Sequence, residues 1–343
     1  MTNSHSRKSH LEKIDWPWEP VQNQVHQAID TYPKISIITP SFNQGNYLEE
    51  TIRSIINQNY PNLEYMIFDG GSNDESLKVI KNYEKWITYW ESEPDRGQAH
   101  AINKGFFKST GDIIAWINSD DMLLPNALEK VSVAFKENPD KILLGDVVHF
   151  YEVQSKIKLM MQKNVSFESV ALIPCSKAIW QQPGTFVPAK LFKPDNIFLD
   201  ESFRYVFDQE WMCKLLQFAD LHYLHEPTSV FRVHPFSKTV DEKFNWLPEI
   251  KRVHKRYWDQ IPNLNKNKVL CQYELINASF SLGVKKWDRR IGQQKLLEAF
   301  KLYPWVVLSH KYIEFLMRSF LPYKFIKFIR SLLIRLRLFF PND

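Results

Sequence analysis

An asparagine, a serine and two aspartates, Asn118-Ser119-Asp120-Asp121, close an unbroken apolar run, Ile113-Ile114-Ala115-Trp116-Ile117. Adjacent carboxylates repel one another and lose hydration beside such a run. Hard oxygen ligands of this kind suit Mg²⁺ or Mn²⁺, which also bridge substrate phosphates. A run without polar alternation suits a strand covered on both faces. In an open α/β sheet, ligands collect beyond the carboxyl ends of the strands, where this quartet falls. The same residues also read as an Asx turn, with Asp121 capping a helix that starts near Met122 to Pro125.

The elements that must hold the quartet follow a β-α-β-α rhythm. Lys34 to Thr39 predicts a first strand, closed by a polar loop to Gly45, and Leu48, Ile52, Ile55 and Ile56 predict a helix over Tyr47 to Gln58. A second strand over Leu63 to Phe68 ends in Asp69-Gly70-Gly71-Ser72-Asn73-Asp74, ahead of a helix through Tyr83. Trp86 to Trp90 reads as a third strand, and a helix over Ala99 to Ser109 leads back to the opening run. The alternation predicts an α/β fold with a mainly parallel, doubly wound, Rossmann-like sheet. Its strand ends open on one edge, so one crevice gathers Asp69, Asp74, Asp120 and Asp121. Gly70-Gly71 would let backbone approach a ligand closely. No GxGxxG follows the first strand and no GxxxxGK[ST] occurs, so bound phosphates would need a metal to neutralise them. From Lys141 to about Val240 the pattern is mixed, with short strands near 142–160 and 184–188 and a helix from Asp208 to Phe218. Beyond Leu247 it reads helical, punctuated by Pro262, Pro304 and Pro322.

At 343 residues, 44% of them hydrophobic, the chain can bury a sizeable core. It reads as an N-terminal extension (1–33), an α/β domain (34–245, in two halves, 34–125 and 126–245) and a helical region (246–343). Three scattered cysteines exclude a disulfide framework. The polar N-terminus lacks an apolar leader, and no 18-residue apolar span occurs, so a cytoplasmic location is expected. Residues 310–343 hold seven Lys/Arg against two acids, which equals the whole net charge of +5. A neutral body argues against nucleic acid as a partner. The tail 320–340 interleaves Lys324, Lys327, Arg330, Arg335 and Arg337 with apolar residues, which suits attachment to the inner face of an anionic membrane; packing on the protein or on a second copy is the alternative.

Five motifs in order resemble family 2 glycosyltransferases of the bacterial polysaccharide type, whose catalytic domain is GT-A. They are Ile38-Thr39-Pro40-Ser41-Phe42-Asn43-Gln44, Asp69 to Asp74, Glu93-Pro94-Asp95-Arg96-Gly97-Gln98, Ala101-Ile102-Asn103-Lys104-Gly105, and Asn118 to Asp121. The resemblance covers about residues 33–240. It implies a nucleotide-diphosphate sugar donor held by Thr39, Pro40, Ser41, Asn43, Asp69, Asp74, Arg96, Asn103, Lys104, Asn118 and Asp120. Asn118-Ser119-Asp120 stands where the family carries its DxD, which makes Asp120 the expected ligand of Mn²⁺ or Mg²⁺, with Asp121 beside it. Arg232-Val233-His234 resembles a late motif whose histidine can complete the metal shell. Phe207-Asp208-Gln209-Glu210-Trp211 is similar to the segment ending in the catalytic carboxylate, so Asp208 is the expected base and Glu210 the fallback. Gln181-Gln182-Pro183-Gly184-Thr185 resembles the acceptor-side loop. Two departures stand out: Asn118 replaces an acid, and Gly70 stands where many relatives carry a second acid that reads the base.

The resemblance implies a metal-dependent, inverting transfer of a sugar to a hydroxyl of a glycan or lipid-linked glycan. A sugar-phosphate nucleotidyltransferase and a non-catalytic nucleotide-sugar or membrane-surface binding protein are the rival readings. The first would need a basic triphosphate cradle, and the loop Thr39 to Gly45 has no Lys or Arg.

Overall fold

The computed structural model describes residues 32–192, 197–238, 245–282 and 288–320. The chain forms two compact units, one up to Val253 and one from His254.

In the first unit, β1 (Ile35–Ser41) is buried along its whole length, as expected of a strand with both faces covered. It pairs in parallel with β2 (Leu63–Asp69) and β4 (Ile113–Trp116), and β3 (Tyr89–Ser92) extends the sheet beyond β2, again in parallel. Between them run α1 (Leu48–Ile56), α2 (Ser76–Asn82) and α3 (Gln98–Lys108). Leu48, Ile52 and Ile55 of α1 are buried at the spacing that predicted the helix. The third strand starts later than expected, because Glu84–Trp86 forms a tight helical turn.

The second half of the sheet is mixed. It contains β5 (Met122–Leu123), β6 (Ile142–Tyr151), β7 (Lys156–Met160), β8 (Thr185–Pro188) and β9 (Leu221–Val233), with α4 (Ala127–Glu137), α5 (Phe167–Ala171) and α6 (Phe207–Leu215) beside them. The order is β3-β2-β1-β4-β8-β6-β9-β5, and β7 is a hairpin partner of β6. β8 runs antiparallel to both β4 and β6, whereas β9 is parallel to β6. The expected helix at Met122 is corrected: Met122 and Leu123 pair antiparallel with Val230 and Ser229, and α4 begins only after Asn126, which sits at φ 61°. Asp121 therefore caps no helix. Trp116 at the end of β4 meets Trp211 of α6 edge-on at 4.8 Å, and Phe106 of α3 stacks on Trp211 at 5.6 Å. This aromatic contact fixes α6 against the strand that ends in the quartet.

The second unit contains the helices Lys266–Ser281, Arg289–Leu302 and His310–Phe320. Its core is Cys271, Leu275, Ala278, Leu282, Leu296, Ala299, Val306 and Tyr312. A Cβ on Gly292 would come within 2.6 Å of Leu282, so glycine sets how closely those segments approach. No helix among the described residues is long and apolar enough to cross a membrane. Residues 1–31 of the extension and 321–343 of the basic tail lie outside the described residues.

Candidate active site

The loops after β1 and β2 are stitched into one wall. Asp69, buried at the end of β2, accepts hydrogen bonds from Ser72 N (2.8 Å), Gly71 N (3.2 Å), Ser92 Oγ (2.7 Å) and Ser72 Oγ (2.6 Å). Asn43, at φ 54°, donates its backbone N–H to Ser72 Oγ at 2.7 Å and accepts from Asn73 N at 3.0 Å. Asp74 accepts from Gly45 N at 2.8 Å and Ser76 N at 2.9 Å. Burial opposes ionisation of Asp74, but the bonds from Ser76 and Gly45 outweigh it and hold the carboxyl below its ordinary range. A Cβ on Gly45 would come within 2.9 Å of Ser76 N, so the stitch requires glycine. Thr39 and Pro40 are buried in β1, with Thr39 accepting from the Tyr65 hydroxyl at 3.2 Å, and they support the wall from behind. Ser41 is buried too; its carbonyl accepts from Gly70 N at 2.8 Å, and its hydroxyl has no partner among the described residues.

Gly70 has a local explanation. A Cβ there would stand 2.7 Å from Asp95 Oδ2 and 3.3 Å from Phe42. Asp95 thus fills the space an acid at 70 would need, and the 60%-exposed ring of Phe42 lies beside it. Both stand in the sequence motifs, Phe42 within the expected wall Pro40 to Asn43, but Asp95 has no role there, and the glycine in place of an acid was the signal.

The residues of α3 and its approach are tied to protein. Arg96 pairs with Glu201 at 2.8 Å. Asn103 donates to Leu199 O at 3.0 Å and accepts from Leu199 N at 2.9 Å. Lys104 pairs with Glu91 and, at 2.9 Å, with Glu93. These three brace the 199–201 segment and β3, so none of them is an unpaired cation or amide waiting for phosphate.

The quartet separates into two roles. Asp121 is fully buried, accepting from Arg232 N at 3.0 Å and Asn118 Nδ2 at 3.1 Å, while its carbonyl accepts from Thr51 Oγ1 at 2.7 Å. Burial and the neighbouring Asp120 push its carboxyl well above the usual range. Asp121 therefore ties the turn after β4 to β9 and α1 and has both carboxylate oxygens engaged. Asn118 also accepts from Gln98 Nε2 at 2.8 Å. Asp120, partly exposed, meets His234 Nε2 at 3.1 Å through Oδ2. His234 lies 4.3 Å from the ring of Tyr47, and its Nδ1 is buried without a partner among the described residues. Arg232, buried and paired with Glu50, donates Nε–H to the Asp120 carbonyl at 3.0 Å. No group of three acidic, histidine or cysteine side chains suited to a metal occurs among the described residues. An oxygen and a nitrogen converging at Asp120 and His234 fit a cation that takes its remaining ligands from substrate phosphates and water.

Asp208 stands in the first turn of α6, three residues before Trp211. Val206 is the N-cap, so Asp208 is no cap; its carboxylate accepts from Gln209 N at 2.8 Å and forms no ion pair among the described residues. Burial pushes its carboxyl up to about 6. Glu210 is corrected as a fallback: its side chain is fully buried and pairs with Lys214 at 2.9 Å. Gln182 is buried, donating to Trp116 O at 2.9 Å, while Gln181 meets His149 at 2.9 Å. Glu249 was missed by sequence reasoning. It accepts from the backbone N–H groups of Arg204, Tyr205 and Val206 at 2.9, 2.8 and 3.2 Å and so anchors the entry to α6. Its acidic position in a helical stretch 41 residues beyond Asp208 gave no signal.

Comparisons with known proteins agree with this architecture. An uncharacterized glycosyltransferase of Rickettsia typhi is 26% identical over 226 residues, covering 64% of this chain and 70% of that protein. TuaG of Bacillus subtilis, named for teichuronic acid biosynthesis, is 24% identical over 260 residues, covering 74% and 83%. Among solved structures, S. aureus TarS 1-349 in complex with UDP-GlcNAc superposes with a TM-score of 0.58 at 17% identity, covering 79% and 82%; the chain spans 49% of a longer TarS chain. The fold is that of these GT-A enzymes. The sequence profile described as Glycosyl transferase family 2 matches residues 36–228, and the chain belongs to that family, as a glycosyltransferase.

Proposed function

We propose that this chain is a metal-dependent, inverting glycosyltransferase that moves a sugar from a nucleotide-diphosphate donor to a hydroxyl of a glycan or lipid-linked glycan in cell-surface polysaccharide synthesis. The observation that carries the reading is Asp208, a carboxylate without an ion pair among the described residues, raised to about 6 and fixed through Trp211 against the strand that ends at Asp120. A general base works best with a pKa near the operating pH. In this reading Asp208 takes the proton of the acceptor hydroxyl as its oxygen attacks the anomeric carbon. Asp120 and His234 would hold Mn²⁺ or Mg²⁺, which when bound supplies positive charge for the departing diphosphate. The wall from Pro40 to Asn43 and from Asp69 to Asp74 orients the nucleoside, with Asp95 and Phe42 at its open edge. Gln181 and His149 offer polar groups to the acceptor. TuaG and the UDP-GlcNAc complex of TarS support a polysaccharide acceptor and a nucleotide-sugar donor.

The engagement of Arg96 and Lys104 with carboxylates speaks against the triphosphate cradle of a nucleotidyltransferase. The test is product analysis with a panel of nucleotide sugars and Mn²⁺. Release of nucleoside diphosphate with an inverted anomeric product is expected, abolished in Asp208→Asn. Pyrophosphate release, retention of configuration, or full activity of that variant would each overturn the assignment.

A further inference from the structure

The helix His310–Phe320 packs into its unit through Tyr312 and Ser319, which are buried, with Phe315 beside them. Ile313, Leu316, Met317 and Phe320 lie on another side. At 100° per residue they fall within one arc of about 100°. They face water, Met317 at 55% and Phe320 at 67% exposure. The preceding turn Pro304–Leu308 adds Trp305 and Leu308, 70% and 74% exposed. Single exposed apolar residues are ordinary, but a continuous helical stripe with neighbouring aromatic and leucine side chains marks an interaction surface.

The charge of the surrounding sequence indicates what covers it. On the helix Arg318 is paired with Glu314, which leaves Lys311 in excess, and the sequence that follows, residues 321–343, carries Lys324, Lys327, Arg330, Arg335 and Arg337 against one acid, Asp343. A second copy carries the same excess of positive charge, which disfavours it as the partner. An anionic bilayer offers an apolar boundary for the stripe and negative headgroups for the cations. Tryptophan suits that boundary in particular. We propose that Trp305, Leu308, Ile313, Leu316, Met317 and Phe320 form a contact with anionic membrane, the apolar anchor beginning upstream of the basic tail. The proposal rests on this surface and stands apart from the transferase reading.

The test is flotation of the full chain with vesicles of phosphatidylcholine, with or without phosphatidylglycerol, beside the double variant Leu316→Glu/Met317→Glu. Binding to the anionic vesicles is expected, weakening as salt rises, and falling about tenfold or more in the double variant, with melting temperature and solution mass unchanged. Quenching of tryptophan fluorescence by brominated phosphatidylcholine mixed into anionic vesicles, reduced in Trp305→Phe, reads insertion separately. Should the double variant fail to fold, Ile313→Gln/Phe320→Gln takes its place. No binding to anionic vesicles, or equal binding by parent and stripe variants, overturns the proposal. A dimer that the variants convert to monomer without loss of vesicle binding also overturns it and identifies a second copy as the occupant.

Discussion

Asp208 and Asp120 are both partly exposed acids near the ends of buried elements, yet their surroundings assign them different work. Burial raises Asp208 to about 6 with no counter-charge, so the group is ionised at neutral pH and still basic enough to take a proton. The rate of transfer is expected to fall below about pH 6 as the carboxylate protonates, and Asp208→Asn is expected to lose about 10²-fold or more of kcat while the affinity for nucleoside diphosphate is kept. A raised carboxyl stabilises the fold while protonated. That contribution is complete below the ordinary value of 3.8 and is lost as the pH rises through about 6. Asp208→Asn should therefore be more stable than the parent at pH 7, by about 1–2 kcal/mol of unfolding free energy after allowance for its partial exposure. A variant that is both inactive and less stable would point to a structural role. Asp120 differs in having His234 at 3.1 Å. Asp120→Ala and His234→Ala should each abolish the extra thermal stabilisation that Mn²⁺ gives to a nucleoside diphosphate complex, and unchanged Mn²⁺ dependence would remove the pair from the metal site.

Elements decide how these residues face one another. The entry to α6 depends on Glu249, whose carboxylate collects three backbone donors, and on Trp211, whose indole donates to Ile197 O at 3.1 Å and meets Trp116. Glu249→Ala leaves those donors without their acceptor, which costs about 1–3 kcal/mol. It should lower kcat more than the donor KM, with Glu249→Gln restoring part of the loss; an equal fall in both parameters would mean general unfolding. The parallel half of the sheet was legible in the sequence, since Ile113 to Ile117 and the spacing of Leu48, Ile52 and Ile55 carry strong local periods. β9 was not legible, because His222, His225, Glu226 and Pro227 break any alternation and its register against β6 shifts around Asp146. Met122–Leu123 was misread for a related reason. Two residues carry no period, and their strand exists only through pairing with β9. The site split along the same line: Asp120, His234, Asp208 and Asp95 stand in recognisable motifs, although the place of Asp95 against Gly70 is set across 25 residues, whereas Glu249 stands in no motif and acts through contacts 45, 44 and 43 residues away in sequence.

At the scale of the whole molecule, the chemistry and the apolar stripe fall in different units. Every residue assigned to the donor wall, the metal pair and the base lies before Val253, as does Glu249 with its three backbone donors. The exposed side chains from Trp305 to Phe320 lie after it, on helices with their own core around Leu275, Leu296 and Val306. A core of that kind can hold its helices without borrowing residues from the sheet, and the sheet has its own continuous core from Ile35 to Phe186. Truncation after Gln260, which keeps the helix Leu247–Tyr257 and therefore Glu249, is expected to leave Mn²⁺-dependent stabilisation by a nucleoside diphosphate within about twofold of the full chain's affinity. Transfer to a water-soluble acceptor analogue should persist, while transfer to an acceptor embedded in anionic vesicles should fall by about tenfold or more as membrane concentration of the enzyme is lost. Parallel measurement of the two acceptors checks the division. Equal losses on both would show that residues beyond Gln260 serve the reaction itself rather than its location.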